Sequence, residues 1–548
     1  MIGRNATIVV PKSQKSFTFD ALLTAWHFRL QIMIVCGAGF LSVALGPDNN
    51  WDLRYYHLYA PWAYLHDRYL YDVGPAQEQG FLNPMADFLF YALTSSRLNE
   101  TPRIVAFIMG VVHGINAVLV LAIASHVLRP SGLRERATLR AVAFLIGISG
   151  AGFVSLLGTT TNDLVNSIFV LASLLGILKG AEPAVERAAW RGFARSGFAA
   201  GIAVGLKNTA AVFMPGLGLI ALIAATRRRA AGAPIAFGVA AVLGFLAVAG
   251  HHLLTLWRDF GNPVFPFLNQ IFQSPYYEPE PLRDARFLPR DFWQLIAYPF
   301  YWAKTNSYLV SEPPFRDWRG AIAYVAIAAG LLRFAASHVF MGLRREGVFA
   351  QTRGLGLVCI FVVVSYFSWE LGFGIYRYAL PLEMLTGVVT MGALIWLLEA
   401  GRTRIIAATV LLTVVAATTV YLDWGRGRYG DRYVDVRVPP LPTNSVVLIA
   451  TWDPVAYFIP FAEPSVQFLG INNNYLELSQ NNKLATEVKR VMRAPGRPKF
   501  VLSVGEFNSD ALNSLLEQFG LRLSASPCQA IRSNLEEQAL SLCPIAAN

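Results

Sequence analysis

Acids, amides and aromatics crowd one stretch of the chain, Pro47 to Tyr91, which reads PDNNWDLRYYHLYAPWAYLHDRYLYDVGPAQEQGFLNPMADFLFY and follows the first long apolar run. A helix starting near Asn50 sets Asp52, Tyr56, Tyr59 and Ala63 on one stripe, with a kink at Pro61. Asp52 is then the candidate general base, and Asp48 is its rival. The helix dipole lowers a carboxyl pKa in a first turn, so burial or a second acid is needed to make Asp52 basic. A solvated acid at a helix start is the plain alternative. Tyr56 and His57 are candidate substrate contacts, although α-helical spacing turns His57 away from the Asp52 stripe by more than a right angle. Farther on, Asn83-Pro84 reads as an N-cap followed by proline, opening a short helix that carries Asp87.

Three distant segments hold residues of matching chemistry. The connection GTTTND, Gly158 to Asp163, is so short that Asp163 is pinned between two apolar runs, either as a helix cap or as a ligand contact. The run Gly197 to Thr226 begins and ends beside basic clusters and splits at Gly205-Leu206-Lys207-Asn208. Ten helical residues rise about 15 Å, half of the roughly 30 Å hydrocarbon thickness, so Lys207 falls at a broken point and needs a partner such as an anion. Trp369 to Tyr378, WELGFGIYRY, adds Glu370, Tyr376 and Arg377 as further candidate contacts. Arg377 offers a two-pronged donor to phosphate oxygens and Lys207 a point charge. Internal pairing with Glu370 or Glu383, or snorkelling to headgroups, would leave these cations without a ligand role.

The elements that must position these residues are membrane spans. The chain has 548 residues, 54% hydrophobic and 15% charged, with a mean hydropathy of +0.43, too apolar for an ordinary soluble enzyme. Its net charge of +11 comes from Lys and Arg in short loops between apolar runs, so nucleic acid is not an expected partner. Residues 1–29 form an N-terminal cytoplasmic segment, and residues 30–422 hold about eleven spans with outer loops at 47–102 and 257–319. The basic residues Lys12, Arg29, Arg129, Arg134, Arg136, Arg140, Lys179, Arg191, Arg195, Arg344, Arg345 and Arg353 set the N-terminus inside and the tail outside. Residues 423–548 alternate strand-like and helix-like runs, the pattern of a small α/β domain. On an oxidising side, Cys528 and Cys543 are expected to close a disulfide loop.

With these residues in view, the chain resembles the GT-C class of membrane glycosyltransferases, which use sugars carried on polyprenyl phosphate and include protein O-mannosyltransferase and aminoarabinose transferase type enzymes. The resemblance rests on the first-loop acid in NWDLRYYHLYAPWAYL, on TTND, on GLKNT and on IYRYALPLE. It implies inverting transfer: Asp52 takes a proton from an acceptor hydroxyl while Lys207 and Arg377 stabilise the departing lipid phosphate. It also implies that Trp51, Tyr55, Tyr56 and Tyr59 stack on sugar or cover the isoprenoid entrance. Class members with paired acids are not matched, because Leu53 follows Asp52; no cofactor is required, and a divalent metal is left open.

The expected partners are a polyprenyl-phosphate sugar donor, a hydroxyl acceptor on lipid, glycan or protein, and the bilayer of the cell inner membrane, with the tail in the periplasm. Two rivals come from other classes. A lipid or polysaccharide transporter would also break its spans and bury cations, but it would carry inverted repeats, and none is visible. A noncatalytic envelope-assembly protein would use the tail as a docking domain.

Overall fold

The computed structural model describes residues 15–182, 186–282, 284–304, 308–340, 351–352 and 354–548. Lys12, Arg344, Arg345 and Arg353, invoked above for orientation, lie outside the described residues, as do residues 1–14 of the N-terminal segment. Among the described residues, eleven helices have fourteen or more residues, and all precede Val420. They are α1 (Lys15–Leu45), α2 (Pro102–Val127), α3 (Leu133–Ile148), α4 (Asp163–Gly180), α5 (Glu186–Leu206), α6 (Met214–Arg227), α7 (Ala233–Phe260), α8 (Arg319–Phe340), α9 (Leu355–Gly372), α10 (Leu380–Leu397) and α11 (Arg402–Thr418). Seven segments, in α1, α2, α4, α6, α7, α9 and α10, are long and apolar enough to cross a membrane.

Close backbone approach builds this bundle where it meets the site. Along α5, Gly197, Gly201 and Gly205 recur every four residues and face α7. A Cβ on Gly201 would come within 1.9 Å of the Ala241 carbonyl, and one on Gly197 within 2.0 Å of that of Phe237. Small residues at this spacing let two helices pack backbone to backbone, which holds in lipid as well as in a water-soluble core. The register of α5, and so the position of the residue after its last turn, is fixed by this contact. That residue is Lys207, whose backbone turns extended (φ −152°, ψ 117°) before a 3-10 segment, Asn208–Phe213, leads into α6. The break therefore falls where the sequence spacing puts it.

Beyond α11 the chain forms a seven-stranded mixed sheet with strands β1 (Val436–Arg437), β2 (Val446–Ile449), β3 (Gln467–Gly470), β4 (Lys499–Val504), β5 (Leu521–Leu523), β6 (Gln529–Ser533) and β7 (Leu540–Ala547). The order is β1-β6-β7-β4-β2-β3, with β5 also on β7. Strand β2 is parallel to β3 and β4, and the remaining pairs are antiparallel. Helices α12 (Lys483–Arg493) and α13 (Ser509–Glu517) complete the domain, each capped by an asparagine side chain at its start. The Cys528–Cys543 disulfide is closed.

The stretch 47–91 is clamped between bundle and sheet. Val73 pairs beside β3, with Val73 N donating to Phe468 O (2.9 Å) and Gly470 N to Val73 O (2.7 Å). Asp72 accepts from Arg68 Nη2 (2.7 Å) and from Phe468 N (2.9 Å), so this acid is buried and committed to docking the loop. Asn83 caps the following 3-10 turn and donates to Gly205 O (2.7 Å) and Val248 O (2.9 Å). The predicted cap thus also ties the loop to the last turn of α5, beside Lys207, and to the middle of α7.

Candidate functional site

Local helix geometry decides where the first-loop residues point. Asn50 Oδ1 accepts from Leu53 N (2.7 Å) and starts the turn, but residues Leu53–His57 wind as π-helix. A π-turn carries about one extra residue, so residues five apart come round to one face, where an α-helix would separate them by about 140°. This corrects the expected orientation of His57, which stands on the Asp52 side and is electrostatically coupled to it. His57 is fully buried; its Nδ1 meets Asp87 Oδ1 at 2.6 Å, and Asn162 Nδ2 donates to the same oxygen at 2.8 Å. His57 Nε2 has no hydrogen-bond partner among the described residues.

Four sequence-distant residues meet at the end of the bundle that carries the sheet. Arg377 Nη1 donates to Asp52 Oδ2, and Lys207 Nζ donates to Asp163 Oδ1 at 2.8 Å. Both cations share one ring: Lys207 Nζ lies 5.0 Å and the Arg377 guanidinium 5.4 Å from the centre of Tyr378. The ring centre of Trp424, from the linker after α11, lies 5.5 Å from the same guanidinium. Gly374 lets the chain arrive here, at φ +66° with its Cα against the Phe287 carbonyl, where a Cβ would sit 2.1 Å from that oxygen. Neither cation pairs with Glu370 or Glu383.

The electrostatics of the cluster are balanced but incomplete. Burial pushes the Asp52 carboxyl up, yet the charges of Arg377, His57 and Lys207 outweigh it and hold the group below the usual carboxylate range. Tyr56, buried beside it, is pushed well above the usual phenol range by burial and by Asp52, so it stays neutral. Asp163 Oδ2 and Arg377 Nε are buried without a hydrogen-bond partner among the described residues. Each of these atoms keeps a hydrogen-bonding position open to water or to a ligand.

The remaining predicted residues are placed elsewhere. Asp48 is 2% exposed and accepts four hydrogen bonds: Oδ1 from Asn50 N, and Oδ2 from Asn50 Nδ2, Thr160 N and Thr160 Oγ1. It latches the 47–91 stretch to the 158–163 turn through Oδ2, which takes three of these four hydrogen bonds. Tyr376 is turned away from its neighbour Arg377 and donates to Glu383 Oε2 at 2.5 Å. Glu370 is buried in α9 near Tyr366 and Tyr298, apart from the two cations. Tyr55, Tyr56 and Tyr59 are packed in the core at 3–6% exposure, and Trp51 alone of the expected stacking residues is open, at 47%. Asp163 is in the first turn of α4, where Asn162 occupies the cap position.

The reading of residue types missed Tyr378, Trp424 and the Asp87 support of His57. Tyr378 had a signal, since IYRY brackets Arg377 with aromatics; Trp424 lies 47 positions later and had none. Among the described residues, no three His, Cys, Asp or Glu side chains converge as metal ligands.

No family model and no curated relative matches the sequence. Among solved structures, the crystal structure of ArnT from Cupriavidus metallidurans bound to undecaprenyl phosphate superposes with a TM-score of 0.50 at 12% identity, over 95% of this chain and 98% of that one. This chain has the GT-C fold. The apo crystal structure of the same ArnT covers the same shares at 13% identity with a TM-score of 0.39. At such identities the likeness extends to the arrangement of helices and C-terminal domain, and the site above stands on this chain's own residues.

Proposed function

We propose that this protein is an inverting membrane glycosyltransferase that moves a sugar from a polyprenyl-phosphate carrier to a hydroxyl acceptor at the outer face of the cell inner membrane. The observation that carries the reading is the meeting of Lys207, from the break after α5, and Arg377, from the 3-10 turn between α9 and α10, on the ring of Tyr378, each held by a carboxylate that a phosphate can replace. The undecaprenyl phosphate in the ArnT structure supports it, as a ligand of that protein on the same fold.

The pairs explain how the site would work. Without donor, Asp52 is bound to Arg377 and is a poor base. A donor phosphate competes for Arg377 and Lys207 and draws the guanidinium from Asp52. Burial, the largest influence on that carboxyl, then acts with less opposition, and its proton affinity rises. In the transfer step the acceptor oxygen bonds to the anomeric carbon as its proton passes to Asp52. The bond from that carbon to the phosphate oxygen breaks, and its electron pair leaves with the phosphate, whose charge Lys207 and Arg377 meet. Positioned base catalysis contributes about 10²- to 10⁴-fold, and each well-placed donor to the leaving charge about 10²- to 10³-fold. Asp163 releases and recovers Lys207, and the Asp87–His57 pair fixes the π-turn that aims Asp52. No step needs a metal.

The test is release of polyprenyl phosphate from polyprenyl-phosphate sugars by the purified protein in lipid nanodiscs. Asp52→Asn should lower the transfer rate at least 100-fold with donor affinity kept or raised, since Asp52 competes with the phosphate for Arg377. Transfer at the wild-type rate would remove Asp52 as base.

A further inference from the structure

The transfer step leaves one ring nitrogen of His57 without a task. Three segments fix the ring. The π-turn carries it, the Asn83-capped turn ends on Asp87, which also opens the helix Phe88–Thr94, and the turn before α4 brings Asn162. His57 is 0% and Asp87 3% exposed. Asp87 Oδ1 accepts from Asn162 Nδ2 at 2.8 Å and meets His57 Nδ1 at 2.6 Å. A carboxylate has acceptors only, so Nδ1 carries the ring proton in that contact. In a singly protonated ring Nε2 is then a bare acceptor, and here it is buried without a hydrogen-bond partner among the described residues. Tyr56 packs on the same ring, with 4.1 Å between the centres.

The π-turn sets this acceptor on the face of Asp52, five residues earlier. A charge on His57 acts on the Asp52 carboxyl more strongly than the charge of Lys207 does. An ionised Asp52 is itself an acceptor, so no hydrogen bond joins it to Nε2 while Arg377 holds its oxygen. A proton on Asp52 changes this, because the carboxyl O–H is a donor and needs an acceptor. We propose that His57 is a positioning residue for the transfer: it holds the proton that Asp52 takes from the acceptor hydroxyl. That proton leaves the acceptor oxygen for Asp52 as the oxygen bonds to the anomeric carbon. The new carboxyl O–H donates to His57 Nε2, and Asp87 meets the charge induced on the ring through Nδ1–H. When the phosphate departs and Arg377 returns to Asp52, the proton passes to water and Nε2 is bare again. The hydrogen bond exists only once the proton has moved, so it favours the transition state over the resting site. The role rests on the transferase reading, but the contact behind it is measurable without turnover.

The experiment is nitrogen NMR of the full chain in nanodiscs with isotope-labelled histidine, the signals of His57 being those lost in His57→Gln. The wild-type ring should carry a proton on Nδ1 and none on Nε2. Asp52→Asn, whose amide is a permanent donor where the carboxyl O–H forms in the reaction, should move the Nε2 signal to that of a hydrogen-bonded acceptor. A proton on Nε2 in the wild type overturns the proposal, as does an Nε2 signal indifferent to Asp52→Asn. His57→Gln, which keeps a donor for Asp87, should lower kcat for polyprenyl phosphate release about tenfold with KM unchanged. In the Asp52→Asn background the same change should cost nothing further, and additive losses would mean that His57 does not act through Asp52. An Nε2 response with no release by the wild type keeps the contact and removes the transferase reading. Release by the wild type with no Nε2 response removes the role of His57 alone.

Discussion

Tyr376 and Arg377 are neighbours in sequence and belong to two polar clusters of opposite character. Tyr376 joins Asp317, Arg319 and Glu383, all at most 5% exposed. There Arg319 Nε donates to Asp317 Oδ1 (2.7 Å), and its other nitrogens reach Ile146 O and Ser149 O. Glu383 accepts from Gly152 N and Phe153 N, each at 2.9 Å, and Asp317 Oδ2 accepts from Ala151 N (3.1 Å). These carboxylates cap the short helix Ala151–Leu156 and leave no charged oxygen unused. The Arg377 cluster also has paired charges, but Asp163 Oδ2 and Arg377 Nε are unpartnered, and the side chains of Asp52, Arg377 and Lys207 retain 13% exposure. The first network is closed by its own partners, and the second keeps positions that a ligand could fill.

The contrast can be broken most forcefully at its closed end. Arg319→Met leaves Asp317 and Glu383 buried with their charges uncompensated. Removing one partner from a buried pair costs about 3–5 kcal/mol, a large part of a typical stability of about 5–15 kcal/mol. Thermal unfolding in detergent should show a strong loss, and an unchanged midpoint would mean that the network is not structural. At the open end, Arg377→Ala should reduce transfer about 10²- to 10³-fold. Its unfolding midpoint should move far less than that of Arg319→Met. Arg377→Lys should recover little of the rate, since the two-pronged donor is lost.

Glu78 supplies a smaller, pH-resolved test between these extremes. It sits in the 3-10 turn Gln77–Phe81, where burial pushes its carboxyl up to about 6 and one oxygen lacks a partner. The folded state binds this proton more tightly than the unfolded chain. Stability therefore falls as pH rises from about 4.5 to about 6 and is level above. Glu78→Gln should remove that slope and gain up to about 2 kcal/mol at pH 7. Asp52 has the opposite sign: its pairing with Arg377 is lost only as pH falls below the usual carboxylate range, so it adds no slope above pH 5.

Much of this arrangement was legible in residue types and spacing because it depends on local rules. Lys207 sits at its break because GLKN ends the apolar run, although the helix before it starts at Glu186 and, at 21 residues, is longer than the ten residues expected, and Asn83 caps because proline follows it. The short GTTTND turn leaves Asp163 no other place, and the tail alternates like an α/β domain. What escaped was set by tertiary contact. An α-helical wheel cannot foresee the π-turn that brings His57 round to Asp52. Nothing in PDNNWD separates the latched Asp48 from the open Asp52, since the difference is made by Thr160, 112 positions away. Nor does IYRY tell which of its side chains faces Glu383 and which faces Asp52.

The central claim is that Lys207 and Arg377 form one phosphate site, and affinity for polyprenyl phosphate in nanodiscs tests it most directly. Lys207→Ala and Arg377→Ala should each weaken binding at least tenfold, the double variant should bind more weakly still, and added salt should narrow the differences. Wild-type affinity in the double variant would contradict the account.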